Sequence, residues 1–243
     1  MKKLLFLLLI IIMYSCDRDH PKIEIIENEN LTQHQIDSIL TNFKFEYDKP
    51  VFIDSTSQVL LPITTQHSER KKTFSRYSSD EYSWADYPRY WNILFYDKNS
   101  NQTRLLTESK MRITDYIVNI KETGAILSKS ILYKIGDIDY NNDKKLNHND
   151  PEHLFISRTD GTEFKRLSPK NEDLISYTLI PKSDQIMIET IRDTNSDLEF
   201  KPDDEKIWYL INLSSDVKPI EIINSGLRKK IENLYFEQWL KKK

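Results

Sequence analysis

One cysteine and four glycines in 243 residues exclude several chemistries at the outset. A lone thiol, Cys16, forms no intrachain disulfide and cannot build a cysteine-ligated zinc site. Glycines this sparse frame no serine and precede no helix as a cluster, so there is no nucleophile elbow, P-loop or dinucleotide fingerprint. Long apolar runs are missing too: the longest, Leu4 to Ile12, falls well short of the roughly 20 residues that span a bilayer. Basic charge is not in excess. The 35 Lys and Arg residues face 38 Asp and Glu, and the net −3 argues against a nucleic-acid partner.

What is present begins with the first sixteen residues. Lys2 and Lys3 precede the apolar run, and Met13-Tyr14-Ser15-Cys16 ends it. This stretch resembles a bacterial lipoprotein signal, with Ser15 as the small residue before the cysteine and Met13 where that family usually has leucine. An ordinary signal peptide with an incidental cysteine is the alternative. The resemblance implies a signal peptide over 1–15, a lipid on Cys16 and a location in a bacterial cell envelope, periplasmic or surface-exposed. Residues 16–30 are polar and read as a tether. Residues 31–243 then form a single β-rich domain with a helix at each end, large enough for one core.

Thr32 and Gln35 have capping-box spacing, and Ile36, Ile39, Leu40 and Phe43 follow at helical intervals, which predicts a short helix over about 33–42. From Phe45 to about Ile223 the chain reads as strands: 59–63, 91–96, 113–120, 125–135, 154–157, 174–180, 186–191 and 207–213. Asn-, Asp- and Gly-containing turns separate them, and no helical pattern intervenes, so the sheets should be antiparallel. Leu227, Ile231, Leu234, Tyr235 and Trp239 are spaced for one face of a C-terminal helix.

Two acidic loops stand 54 residues apart in corresponding positions. The first places Asp139, Asn141, Asp143 and Asp150 at positions 1, 3, 5 and 12, and the second places Asp193, Asn195, Asp197 and Asp204 there. Calcium needs oxygens folded around one point, and this spacing is that of an EF-hand or dockerin-like loop. The Lys145 and Glu199 carbonyls, Asn147 through water, and Asp203 as substitute for Asp204 complete the candidate ligands. Leu146 and Phe200, at the eighth position, are expected to anchor each loop to the core. Lys144 and Leu198 replace the glycine of the sixth position, and Asp replaces the bidentate Glu of the twelfth. Both departures predict weak binding, at about 10⁻⁴–10⁻³ M. Solvated Asn/Asp-rich hairpin loops are the alternative.

Aligning the loops brings their flanks into register as strand, insertion, strand, tight turn and strand, with a weaker first unit from Val59 to Leu106. Leu154-Phe-Ile-Ser-Arg-Thr-Asp-Gly-Thr-Glu-Phe-Lys-Arg-Leu-Ser168, and more loosely Tyr96 to Thr107, resemble the TolB-like and WD40-like β-propeller repeat. That resemblance implies a mainly β fold of propeller-like repeated sheets, incomplete because three units fall short of four blades. A β-sandwich is the alternative architecture.

Other chemistry is thin. His148 and His153 with Asp150 have transition-metal ligand types, but surface histidines beside an acidic loop are the plainer reading. Tyr82, Trp84, Tyr87, Tyr90 and Trp91 crowd the insertion of the first unit as a candidate ligand platform. The sequence therefore points to a non-enzymatic, membrane-tethered envelope lipoprotein stabilised by calcium, with an envelope protein or glycan as partner. The competing reading is a glycan-active hydrolase or accessory built on the aromatic insert.

Overall fold

A computed structural model of the chain describes residues 32–42, 46–64, 89–215 and 217–241. The chain divides into two compact units, residues 1–43 and 44–243. In the first, α1 (Gln33–Asn42) starts where the capping box places it: Thr32 N–H donates to Gln35 Oε1 at 2.9 Å and Gln35 N–H donates to Thr32 Oγ1 at 3.4 Å. Cys16 and the rest of the leader and tether lie outside the described residues, as do Tyr82, Trp84 and Tyr87.

The second unit is mainly β, and its described residues form three antiparallel sheets. The first contains β1 (Glu46–Tyr47), β2 (Val51–Phe52), β3 (Gln58–Thr64), β4 (Asn92–Asp97) and β5 (Gln102–Leu105). β1 and β2 both pair with β3, on the edge opposite β4, and together fill one strand position broken at Asp48–Pro50. Pro50 has no N–H to give a ladder, which suits it to that break. The second sheet has the order β6 (Arg112–Ile117), β7 (Ser130–Gly136), β8 (Glu152–Arg158), β9 (Lys165–Arg166). The third has the order β10 (Glu172–Leu179), β11 (Gln185–Arg192), β12 (Glu205–Asn212), β13 (Ile220–Glu221). Each sheet is thus a four-position meander with neighbours in chain order, and none closes on itself.

The pleat distributes the core between the sheets. Along β7 and β8, Ile131, Tyr133, Ile135 and Phe155 pack with Leu60, Ile93 and Phe95 of the first sheet. Their alternates Leu132, Leu154 and Ile156 pack with Ile186, Ile188 and Ile207 of the third. The middle sheet is therefore buried on both faces, which explains why β7 reads as a near-continuous apolar run rather than an alternating one.

The sequence expectation of one strand over 125–135 is corrected in its first half. Residues Leu127–Lys129 form a 3₁₀ turn, and β7 begins only at Ser130. The Asp184 carboxylate accepts the N–H groups of Ile126 and Leu127 at 2.8 and 2.9 Å, supplying those donors with a partner no strand would offer. The C-terminal helix α2 spans Ser225–Tyr235, capped by Asn224, whose side chain accepts Leu227 N–H.

Candidate metal centre

Both acidic loops span the connection between the second and third strands of their sheet. The ladder ends at Gly136↔Glu152 in one case and Arg192↔Glu205 in the other, so each loop hangs from a closed pair.

The two loops share a hydrogen-bond plan. At position 1, Asp139 accepts from Asp143 N–H (3.1 Å) and Lys144 N–H (2.9 Å). Asp193 accepts from Ser196 N–H (2.6 Å) and Leu198 N–H (3.0 Å). The position-3 amide oxygens of Asn141 and Asn195 accept from Asp143 and Asp197 N–H at 3.0 and 2.8 Å. The position-5 carboxylates of Asp143 and Asp197 accept from Lys145 and Glu199 N–H at 2.8 and 3.0 Å. At position 12, Asp150 takes the N–H groups of Tyr140 and Asn147, and Asp204 takes those of Thr194 and Lys201. These contacts curl the chain so that alternate side chains turn inward. Asp150 and Asp204 are buried at the base of their loops, and Asp203 is exposed.

The curl requires left-handed backbone at positions 4 and 6: Asn142 (φ 59°) and Lys144 (φ 66°), then Ser196 (φ 62°) and Leu198 (φ 63°). Asparagine tolerates that region well. A side chain such as leucine does so at about 1–2 kcal/mol. The sixth position is where a calcium loop usually has glycine, and here the same conformation is reached without it.

Electrostatics differ between the loops at position 9. Asn147 offers a neutral amide, whose Nδ2 lies 3.3 Å from Asp143 Oδ2. Lys201 offers an ammonium, 2.6 Å from Asp197 Oδ2 and 2.7 Å from Glu199 Oε2. That contact holds the Asp197 carboxyl below the usual carboxylate range and pushes the Lys201 amine up. Backbone donation from Lys201 and Thr194 likewise lowers Asp204. The second loop thus carries its own cation against two of its oxygens.

Neither Leu146 nor Phe200 belongs to a core cluster; both are half-buried. Phe200 packs instead on Tyr140 of the other loop, with ring centroids 4.9 Å apart. The Tyr140 hydroxyl donates to Asp193 Oδ2 at 3.4 Å, while its own N–H serves Asp150. The loops therefore touch. A cleft of about 470 Å³ lies between them, lined by Asn141, His148, Asp150, Asp173, Asp197 and Lys201 among others. Burial raises the Asp173 carboxyl above its ordinary value.

Among the described residues no group of three or more His, Cys, Asp or Glu stands close enough together to hold a metal ion. The oxygens at positions 1, 3, 5 and 12 all accept peptide N–H groups of their own loop, so calcium would have to compete with those donors. Their chemistry fits a hard cation, since each loop supplies three carboxylates, at least one side-chain amide and a backbone carbonyl.

The remaining candidates separate. His153 is fully buried, and its ring nitrogens lie 2.6 Å from Asp137 Oδ1 and 2.9 Å from the Lys170 carbonyl oxygen. Neither nitrogen is left for a metal shared with His148. Tyr90 is 4 % exposed, packs on Tyr116 and donates its hydroxyl to Asp48, so its ring offers no face to a ligand. Trp91 is half-buried beside it. Sequence reading missed the Tyr140–Phe200 contact; the only signal was an aromatic residue in each loop. No protein-family model matches the chain, and no curated protein matches it.

Proposed function

We propose that this chain is a lipid-tethered, non-enzymatic module of a bacterial cell envelope, a propeller-like array of sheets whose acidic loops bind calcium for stability. Cys16 is the lipidated residue, and an envelope protein or glycan is the partner. The observation that carries the calcium reading is the shared hydrogen-bond plan of the two loops, which turns positions 1, 3, 5 and 12 inward twice over. Three stacked four-position meanders support the propeller-like arrangement, because that is how blades follow one another around an axis. The buried Tyr90 weakens the case for an aromatic catalytic platform.

Thermal unfolding of the full chain in calcium and in chelator tests this reading. With a dissociation constant near 10⁻⁴ M, about 1 mM calcium adds about 1.4 kcal/mol per site. For a domain of this size that raises the midpoint by about 3–6 °C. Asp139→Ala and Asp193→Ala should each remove one site in calorimetry. Equal midpoints in both buffers, with no binding heat at millimolar calcium, would sink the proposal. Cys16→Ser should abolish lipid labelling and release the chain from membranes.

A further inference from the structure

The last turns of the chain are unlike the rest of it. α2 has no buried residue, and a π-helical turn, Phe236–Leu240, continues it, closed by Lys241 N–H donating to the Phe236 carbonyl. Leu227, Ile231, Leu234, Tyr235 and Trp239 form a stripe, with Phe236 and Leu240 beside it; all seven are between 42 % and 75 % exposed. A stripe of this kind normally faces a core. Here the helix is pinned to the third sheet by Arg228 in its first turn, which pairs with Glu205 and, at 3.8 Å, with Glu221.

Charge sets the same segment apart. Residues 225–243 contain Arg228, Lys229, Lys230 and Lys241 to Lys243 against Glu232 and Glu237, a net +4 within a chain of −3. Along the sequence the basic residues fall in two groups, 228–230 and 241–243, with the aromatic residues between them. Each additional π-turn residue rotates by less than an α-helical one, which brings Trp239 back toward the stripe. The described residues contain no helix long and apolar enough to cross a membrane.

We propose that α2 and its π-turn form an interfacial helix that lies in the surface of an anionic lipid bilayer, with its apolar stripe among the acyl chains and its lysines at the headgroups. Apolar burial and attraction to anionic lipid together bind such helices. An aromatic-rich arc wide enough to include Phe236 and Leu240 suits a fluid surface, whereas pairing with another helix uses a narrow seam. Lys229 and Lys230 can extend their stems along the apolar arc and keep the ammonium groups in the headgroup layer. This contact is separate from the Cys16 lipid and does not rest on calcium.

The test uses the full chain reconstituted with phosphatidylglycerol vesicles or with phosphatidylcholine vesicles, each with and without bromine on the acyl chains. The signal of Trp239 is obtained by difference from Trp239→Phe. On phosphatidylglycerol, that emission should move to shorter wavelength and be quenched by bromine. On phosphatidylcholine it should remain that of an indole in water. Lys229→Gln with Lys230→Gln should lower the ratio of engaged to free helix about thirtyfold, and Ile231→Glu with Leu234→Glu should abolish the quenching. These side chains are exposed, so circular dichroism should show the fold of every variant intact. Unquenched emission on phosphatidylglycerol, or equal quenching on both lipids, overturns the proposal. So does a chain that sediments as a dimer without lipid and becomes a monomer with Ile231→Glu and Leu234→Glu, because a second copy then covers the stripe.

Discussion

Replacing Gly161 by alanine tests how the first two sheets face each other. Gly161 closes the turn between β8 and β9 at φ 77°, where its N–H donates to the Arg158 carbonyl at 2.9 Å. A Cβ at this position would lie 2.6, 2.8 and 2.9 Å from three ring atoms of Phe95, on the neighbouring sheet. Two costs follow. The left-handed backbone costs a non-glycine residue about 1–2 kcal/mol. Forcing a methyl group against a packed ring costs about 1–3 kcal/mol more. The expected loss, about 2–5 kcal/mol, is a large part of the stability of an ordinary domain. Urea unfolding of Gly161→Ala against wild type measures it. Phe95→Leu separates the two costs, because it removes the ring atoms that the new methyl would strike. In that background Gly161→Ala should cost only its backbone share, so the double variant should lose about 1–3 kcal/mol less than the sum of the singles. Additive losses would mean that the turn does not rest on Phe95, and would refute the face-to-face stacking derived from it.

Further outcomes concern the second acidic loop and the strands beside the cleft. Burial raises the Asp173 carboxyl, so its contribution favours the fold at low pH and is lost as pH rises through its folded value. Asp173→Asn, which retains an acceptor for Glu152 N–H, should therefore stabilise the protein near pH 7 in chelator, with the gain vanishing below the carboxylate range; an equal gain at pH 3 and pH 7 would contradict the cause given. Nearby Glu152 runs the other way. Burial opposes its ionisation, but the Lys134 and Arg112 partners outweigh it and hold its carboxyl low, so its contribution is present above its unfolded value and lost in acid. Lys201→Gln should tighten calcium binding by the second loop and leave the first unchanged, as read by calorimetry on Asp139→Ala and Asp193→Ala backgrounds. Unaltered second-loop affinity would show that the ammonium does not compete with the ion.

The parts of this chain that were legible in its sequence are those decided by neighbours along the chain. The Thr32–Gln35 cap is a local exchange of donors, and the helix began at Gln33 as that spacing requires. The long strands were legible for the same reason, as was the Asp160-Gly161 turn. β6 and β10 were visible as apolar runs but not as the first member of their sheets, because that depends on pairing with β7 and β11 rather than on composition. The 3₁₀ turn before β7 was hidden because its decisive acceptor, Asp184, lies 58 residues away. Leu146 and Phe200 were assigned to the core by analogy with a loop between helices; between strands, Phe200 has another loop within reach.

That last difference bears on what ion binding can do here. In a helix–loop–helix unit, ligand closure can rotate one helix against the other. These loops hang instead from antiparallel pairs closed by ladder hydrogen bonds, in sheets whose inner faces are packed against each other, so contraction has no lever to move. What it can reach is the other loop. Tyr140 gives its N–H to the position-12 carboxylate of the first loop and its hydroxyl to the position-1 carboxylate of the second, and its ring lies on Phe200. Drawing either carboxylate toward an ion would pull on Tyr140, a residue that both loops hold. The free energy of binding would then go into the join between two sheets, where a rivet acts and a sensor does not.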